Sequence, residues 1–243
     1  MPKIFHQSCC KNLLIASSTV GDGNMSFKRG RREDIIGNRK KFLAKLHLDP
    51  ARCVLMNLCG EVKIGKVNDR DLREGILSDD FISAEALITK SKNLFLAVLT
   101  ADCAPIVLFE PKSGIVSVTH ASKSNTDRKF TQKVIDYLAK YFSLKPQSIR
   151  AFIGPTIEKK SYVFDELPRL KSDWGKFCLR EKGKFYLDIV GYNLSQMKEK
   201  GLRGENINFS GVDTFDSKDF FSHRRSLAEN LPKGRFLTIA GFM

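Results

Sequence analysis

Cys103 and His120 are the two residues of this chain whose types and spacing could do chemistry together. They flank two apolar runs, 105–109 and 115–119, which are rich in β-branched residues and are separated by a polar turn with an early Pro and a late Gly. This pattern predicts a β-hairpin. If its loop holds four residues, 111–114, or only two, the side chains of Cys103 and His120 lie on one face, about 5 to 8 Å apart at Cβ. A loop of three residues would put them on opposite faces.

A thiol and an imidazole at this separation have two chemical uses. They can bind a metal ion such as zinc, or they can act as a nucleophile and its general base. The hairpin is equally compatible with a buried cysteine beside a hydrogen-bonded histidine. The two strands by themselves leave these possibilities open.

The elements that must position this hairpin in the first half of the chain are one helix and several strands. Apolar residues recur at near-helical spacing over residues 32–46, with Asn38 and Arg39 in the middle of the predicted helix. A polar stretch, which includes Arg70, Asp71, Arg73, Glu74, Asp79 and Asp80, predicts a loop or lid over 68–83. The predicted strands of this half are 53–59, 62–67, 84–89 and 94–99.

The second half predicts further helices and strands around the site. Asn125 or Thr126 could cap a helix over 127–142, which carries an apolar stripe. Two more helices are predicted at 167–179 and 185–200, and two more strands at 149–153 and 207–212. Strands alternating with helices predict an α/β fold, a mixed β-sheet flanked by helices, as a single domain over 1–243.

The composition argues against several classes of protein. No apolar run approaches the roughly 20 residues of a membrane span, and 13–16 is too short for a signal-peptide core, so we expect a cytoplasmic protein. Six cysteines without regular spacing favour reduced thiols. The formal charge is +14, but the 41 basic residues are scattered and no RNA-binding signature appears, which argues against a nucleic-acid partner. The densest basic cluster, 28–32, is either an exposed loop or a place to which a nucleotide-sized anion is steered.

Several short motifs occur in order along the chain. They are Gly-Asn-Met-Ser at 23–26, Asn-Arg at 38–39, Ala-Glu-Ala-Leu-Ile-Thr at 84–89, Thr-Ala-Asp-Cys-Ala-Pro at 100–105, Ile-Gly-Pro at 153–155, Phe-Phe-Ser-His-Arg-Arg at 220–225 and Gly-Arg at 234–235. In this order they resemble the multicopper polyphenol oxidoreductase, or laccase-domain, family. Its members are also described as zinc-dependent purine nucleoside phosphorylases and as peptidoglycan editing factors.

The resemblance implies a metal site of three protein ligands with one position open to water. Where the family has Gln-Val-His-Gly, with a zinc-binding His, this chain has Asn-Leu-Cys-Gly at 57–60, so Cys59 would replace that ligand. The predicted ligands are then Cys59, Cys103 and His120. Phenol oxidation needs several copper centres, which this His-poor site cannot supply, so zinc is expected rather than copper.

The chain departs most from the family after His120. The family continues Ala-Gly-Trp-Arg-Gly, whereas this chain has Ala-Ser-Lys-Ser-Asn at 121–125. Lys123 beside a helix start could hold phosphate in place of the lost Trp and Arg, although an ordinary amphipathic helix explains the pattern equally well. Arg39 or Arg224 would assist, and because Arg224 and Arg225 would point to opposite faces of one strand, at most one of them serves the site. Asp102 could shuttle a proton, orient His120, or simply close a turn.

The function implied by the resemblance is phosphorolysis of purine nucleosides such as adenosine or inosine. Methylthioadenosine is a further candidate substrate, and adenosine deamination a side activity. In this enzyme Asp102, Cys103 and His120 would be catalytic, and its partners would be a small-molecule nucleoside and phosphate. Three alternatives remain: a Cys/His hydrolase or amidase acting on cell-wall precursors, a copper-dependent polyphenol oxidase, and a catalytically impaired binding protein of the same fold.

Overall fold

The structure is a computed structural model that describes residues 1–72, 75–78, 82–172 and 174–243. Arg73, Glu74, Asp79 and Asp80 of the predicted lid lie outside the described residues. The helices of the described chain are α1 (Arg32–Lys45), α2 (Lys123–Asp127), α3 (Phe130–Phe142), α4 (Ile189–Glu199) and α5 (His223–Ala228). Its strands are β1 (Lys3–Ile4), β2 (Leu13–Ser17), β3 (Cys53–Asn57), β4 (Ile64–Lys66), β5 (Ile82–Ser83), β6 (Ala86–Thr89), β7 (Phe95–Thr100), β8 (Ala104–Glu110), β9 (Ile115–Ala121), β10 (Arg150–Ile153), β11 (Val163–Phe164), β12 (Cys178–Glu181), β13 (Lys184–Leu187), β14 (Ile207–Phe209) and β15 (Phe236–Phe242).

The strands form two large sheets and one small one in the described chain. The first large sheet has the order β1-β2-β15-β7-β3-β5 and the second β14-β10-β8-β9-β6-β4, while β11, β13 and β12 form the small sheet. Both large sheets are mixed. In the first, β7 pairs parallel with β3 and antiparallel with β15. The predicted α/β fold with a mixed sheet and flanking helices is confirmed.

The two large sheets pack face to face and the helices cover their outer faces. Alternate residues of β8 show this, because Val107 and Phe109 join the core cluster shared by both sheets. Ile106 and Leu108 point the other way and pack with α3 residues. The outer face of the first sheet packs against α1, through Phe42 and other apolar side chains. Burial on both faces explains why the central strands are apolar throughout, without the alternation of a half-exposed strand.

The predicted hairpin forms, and its loop holds four residues, one of the two even lengths that put Cys103 and His120 on one face. Glu110 pairs with Ile115, and Pro105 pairs with His120. The Glu110 carboxylate accepts hydrogen bonds from the backbone N–H groups of Lys112 and Ser113, and Gly114 closes the turn with a φ of 68°. Because the loop holds an even number of residues, the side chains of Cys103 and His120 lie on the same side of the hairpin as that of Val107. Both residues therefore belong to the face between the two sheets.

Two helix predictions for the second half are wrong. Residues 167–179 form no helix in the described chain: only a short 3-10 turn, Gly175–Phe177, precedes β12. The predicted helix at 185–200 starts late, because β13 first pairs with β12 across a tight turn in which Lys182 and Gly183 both have positive φ. Asp188 then caps α4 by accepting a hydrogen bond from Gly191 N.

The other errors concern helix boundaries near the site. The predicted helix at 127–142 is two helices, α2 and α3, because Lys129 adopts a left-handed backbone with φ 53°. The cap is Ser122, whose hydroxyl accepts from Asn125 N, and not Asn125 or Thr126. Residues 224–225, expected on a strand, lie in α5.

Candidate active site

Cys103 and His120 meet at the end of the core between the two large sheets. His120 ends β9 and is buried, while Cys103 is half-buried in the bend that precedes β8. The thiol lies within hydrogen-bonding reach of the imidazole. The hairpin therefore brings together the two residues that its strand geometry predicted.

Glu85 anchors the imidazole of His120. Its Oε2 lies 2.7 Å from His120 Nδ1, and Asn125 Nδ2 donates to the same oxygen at 2.7 Å. Its Oε1 accepts from Gly60 N at 2.7 Å, and Gly60 adopts a φ of 75° that favours glycine. Burial raises the pKa of this carboxyl, but the hydrogen bond and charge of His120 outweigh it, so the Glu85 pKa is lowered. An ionised carboxylate can only accept, so Nδ1 carries a proton and Nε2 is left for other partners.

The acidity of His120 reflects these neighbours. Burial lowers the pKa of the imidazole, but the charge of Cys103, its hydrogen bond and then Glu85 raise that pKa to about 9. The three groups therefore form one coupled unit.

Asp102 joins three segments and does not orient His120. Its φ is 86°. Its Oδ1 accepts from Thr214 Oγ1 at 2.8 Å, and its Oδ2 accepts from Arg224 N at 2.7 Å. The orienting hydrogen bond that the sequence suggested for Asp102 belongs to Glu85 instead, and Asp102 closes a turn between distant loops. A role for Asp102 in proton transfer stays a prediction.

Cys59 is linked to the same carboxylate through its neighbour. It follows β3, is half-buried, and has its Sγ 3.9 Å from Glu61 O. Gly60, which comes next, donates to Glu85 and accepts from Arg128 Nη1 at 2.8 Å. The segment that carries Cys59 is thus tied to the Glu85–His120 pair, and its role as a ligand stays a prediction.

The donor types at this site fit zinc. Among the described residues, no three His, Cys, Asp or Glu side chains are already grouped to hold a metal ion. However, a carboxylate on one ring nitrogen of a histidine is the arrangement that usually supports a zinc-binding imidazole. With a thiol beside that ring and a second thiol on an adjoining segment, the residues offer the soft and borderline donors that zinc prefers.

Arg39 lies away from this site. Its side chain is completely buried in α1, and its Nε and Nη2 donate to Met25 O, at 3.0 and 2.6 Å, while Nη1 donates to Ile76 O at 2.6 Å. The guanidinium also packs over the ring of Phe27. These contacts show that Arg39 holds backbone segments together. They give no support to the prediction that Arg39 helps to bind phosphate, which stays a prediction.

Lys123 and Arg224 contact the loops beside the site. Lys123 is the first residue of α2, and its Nζ donates to Arg169 O at 3.2 Å. Arg224 donates from Nη1 to Val163 O, and its guanidinium lies 4.1 Å from the centre of the Phe164 ring. Arg225 is occupied elsewhere, because its Nη1 and Nη2 donate to four backbone carbonyls. Substrate binding by Lys123 and Arg224 stays a prediction.

The structure adds two residues that the sequence argument missed. Glu85 was noted only as part of a motif, and Asn125 only as a possible cap. The signal for Glu85 was one carboxylate at the start of a fully buried strand run, since a buried charge must find partners. No local signal identified Asn125, which also donates to His120 O at 2.9 Å.

Comparison with known proteins places this chain in a family. A family model described as multi-copper polyphenol oxidoreductase laccase matches residues 11–243. The chain belongs to this family. Its fold is also that of a solved relative, since the crystal structure of YlmD from Geobacillus stearothermophilus superposes with a TM-score of 0.86 at 25% identity, over 97% of this chain and 94% of that one.

Curated relatives of this laccase-family chain are named as nucleoside-processing enzymes. Purine nucleoside phosphorylase YlmD of Bacillus subtilis is 26% identical over 94% of this chain and 88% of its own length. A purine nucleoside phosphorylase of Campylobacter jejuni is 30% identical over 73% of each chain. In the part of the chain that the structure describes, no helix combines the length and apolar character needed to cross a membrane.

Proposed function

We propose that this chain is a zinc-dependent purine nucleoside phosphorylase acting on adenosine or inosine, with methylthioadenosine as a further substrate and adenosine deamination as a side activity. The observation that carries the proposal is the Glu85–His120–Cys103 unit, in a chain whose relatives bear the phosphorylase name. The unit combines an anchored imidazole with a half-buried thiol at the end of the core.

Phosphorolysis exchanges one bond at the sugar for another. The bond from ribose C1′ to the purine nitrogen breaks, and its electron pair leaves with the purine. A phosphate oxygen bonds to C1′, and the proton lost by hydrogen phosphate balances the proton that the purine gains. The protein must therefore hold two reactants in line and stabilise charge on the departing base.

Residues of this chain can be assigned to metal binding, to orientation of the imidazole and to the substrate cleft. Cys59, Cys103 and His120 would hold the zinc, which would polarise the substrate or activate water. Glu85 keeps the His120 ring in one orientation and one tautomer. A cleft of about 600 Å³, lined by Lys160, Ser161, Val163, Phe215, Asp216, Arg224, Leu227 and Ala228, adjoins the site through Arg224 and has the size of a small-molecule pocket.

The first experiment measures metal content together with turnover. Protein purified without added metal is analysed by elemental analysis, as wild type, Cys59→Ala, Cys103→Ala and Cys59→His, with Cys9→Ala as the control, because Cys9 is an exposed cysteine outside the site. About one zinc per chain is expected in wild type, Cys59→His and the control, and its loss in both site alanine variants. Copper in its place would contradict the zinc assignment.

The matching assay follows free purine and ribose 1-phosphate from inosine or adenosine with inorganic phosphate. Product is expected only with phosphate present, and chelation of the metal should abolish it. Absence of product across these nucleosides and methylthioadenosine, from protein that holds its metal, would refute phosphorylase activity.

One observation favours a second candidate, a metal-free thiol hydrolase or amidase. The Cys103 thiol lies within hydrogen-bonding reach of the His120 imidazole, which is the arrangement of a thiol nucleophile beside its general base. In this enzyme Cys103 would attack a carbonyl carbon, the C–N bond would break, and His120 would give the thiol proton to the leaving amine. Water, deprotonated by His120, would then cleave the thioester, release the acid and restore the thiol. Activity that survives chelators but is lost in Cys103→Ser would favour it over the phosphorylase.

A further inference from the structure

Three segments that are distant in sequence converge beside the loop of Asp102 and Cys103. Arg235 pairs through its main chain with the loop before α1: its N–H donates to Asn24 Oδ1 at 2.9 Å, and its carbonyl accepts from Met25 N at 3.0 Å. His223 starts α5 next to Arg224, whose N–H binds the Asp102 carboxylate. Arg29 lies in the same loop before α1 as Asn24 and Met25, in the 3-10 turn Phe27–Arg29.

Arg29 and Arg235 bring positive charge together in this region, and neither forms an ion pair with a carboxylate of the described chain. In the described chain the guanidinium of Arg235 makes one hydrogen bond, from Nη1 to Gly234 O at 2.8 Å, and no ion pair. Arg29 is exposed and its side chain has no hydrogen bond or ion pair there. His223 Nδ1 is buried and lacks a hydrogen-bond partner among the described residues. The nearby carboxylate of Asp102 already accepts from Thr214 and Arg224.

The acidities of these groups show that the charges act on one another. Burial lowers the pKa of His223, and the positive charge of Arg235 lowers it further. The charge of Asp102 raises this pKa, and the charges of Lys233 and Arg29 lower it by smaller amounts. Burial also lowers the pKa of Arg235, and the charge of Arg29 adds to that effect, whereas Cys103 and Asp102 oppose it. The cations therefore repel one another within reach of Cys103, an arrangement that a bound anion would relieve.

We propose that Arg29, His223 and Arg235 form an anion subsite beside Cys103 that takes the inorganic phosphate consumed in phosphorolysis. The inference rests on the proposed function and specifies where its second substrate binds. Guanidinium groups suit the oxygens of phosphate because they donate two parallel hydrogen bonds, and a neutral imidazole adds one more donor. This location differs from Lys123, whose Nζ is bonded to Arg169 O.

The test measures phosphate binding in the absence of nucleoside. Inorganic phosphate is titrated calorimetrically into the full chain at low ionic strength, as wild type, Arg235→Gln and Arg29→Gln. Arg203→Gln is the matched control, because Arg203 is an exposed arginine in a separate cleft with Lys112 and Arg150. The dissociation constant should rise about tenfold in Arg235→Gln and by a smaller factor in Arg29→Gln, and stay unchanged in the control.

Three outcomes separate the subsite from the proposed function. A rise in the KM for phosphate with an unchanged KM for nucleoside, in both site variants, supports the subsite within a working phosphorylase. Unchanged phosphate affinity in both variants overturns the subsite even if phosphorolysis proceeds. If both variants bind phosphate more weakly than wild type, and wild type itself shows no phosphorolysis, the anion subsite is supported and the proposed function is refuted.

Two further arms keep the experiment decisive. Arg29 is exposed, so Arg29→Gln tests the subsite even if Arg235→Gln fails to fold, and Arg235→Lys should restore part of the affinity by keeping the charge. A nucleoside 5′-monophosphate is titrated in parallel. If it binds and free phosphate does not, the subsite takes the phosphate group of a nucleotide, which overturns its assignment to the co-substrate.

Discussion

Glu85 shows how one carboxylate can organise a site from a position that the sequence leaves unremarkable. Its two oxygens contact His120, Asn125 and Gly60, and thereby join β9, the helix after it and the loop that carries Cys59. A buried carboxylate is stable only with such partners, since an unpaired buried charge costs several kcal/mol. The same contacts keep the imidazole in one tautomer.

Replacing Glu85 by glutamine should therefore weaken metal binding. The carboxylate accepts at both oxygens, whereas the new amide has one oxygen and one N–H group. In one orientation the N–H group faces His120 Nδ1 and Asn125 Nδ2, and in the other it faces Gly60 N, so a donor loses its acceptor either way. Loss of such a supporting carboxylate lowers metal affinity by about 10- to 100-fold. Competition with a chromogenic zinc chelator measures the change, with the exposed residue Glu181 replaced by glutamine as the control. Equal zinc affinity in the two variants would show that Glu85 does not support a metal ligand.

At the level of elements, α2 holds the segment that was wrongly predicted as a helix. Asp127, the last residue of α2, accepts hydrogen bonds from Lys171 N, Ser172 N, Ser172 Oγ and Trp174 Nε1. Trp174 in turn packs against Tyr192 of α4, with ring centroids 4.7 Å apart. These tertiary contacts outweigh the local helix propensity of the segment.

Asp127→Ala should release this segment. Loss of its hydrogen bonds should lower the free energy of unfolding by about 2 to 4 kcal/mol, because three partly buried donors and the buried Trp174 Nε1 lose a charged acceptor. Urea unfolding measures the change, and amide hydrogen exchange at Lys171 and Ser172 reports local opening. Asp165→Asn is the control, because Asp165 is an exposed carboxylate just before this segment. Unchanged exchange at both amides would contradict the anchoring role.

The same contacts predict how this stabilisation depends on pH. Burial raises the pKa of Asp127, but the hydrogen bonds from Ser172 N, Trp174 and Lys171 N outweigh it and hold the pKa below its usual range. The contribution is therefore present above about pH 4, the pKa of an unfolded aspartate, and is lost as pH falls through the folded pKa. The stability difference between wild type and Asp127→Ala should shrink correspondingly on acidification.

The whole molecule carries a large excess of positive charge, formally +14. Such a field attracts phosphate and other anions over distances that salt shortens to roughly 10 Å at 0.1 M. If the chain consumes phosphate, this attraction contributes to its encounter with that substrate. The clustering of Arg29 and Arg235 would add a local component at the site itself.

Salt should therefore slow phosphorolysis. The kcat/KM for phosphate is expected to fall several-fold as sodium chloride rises from about 0.05 to 0.3 M, because the charges are screened. Steady-state assays at saturating nucleoside measure it, with sucrose at equal osmolality as the control. A kcat/KM that is constant over this range would show that the net charge does not assist the encounter with phosphate.

Local pattern was enough to state the condition under which Cys103 and His120 lie together, an even loop length. A strand alternates its side chains with period two, so an even loop put Cys103 and His120 on one face before any tertiary contact was known. The helix expected over 32–46 is α1, because its apolar spacing and its stop at His47 are local signals. The α/β class followed from the alternation of such elements.

Only the tertiary structure decided which partners complete the site. Glu85 reaches His120 across β6 and β9, and Asp102 receives its hydrogen bonds from Thr214 and Arg224, more than 100 positions away in the chain. Hydrogen bonds of this kind depend on how sheets and loops pack, and periodicity carries no information about them. For the same reason the convergence of His223 and Arg235 beside Cys103 appears only in the folded chain, since burial and charge act through space and not along the sequence.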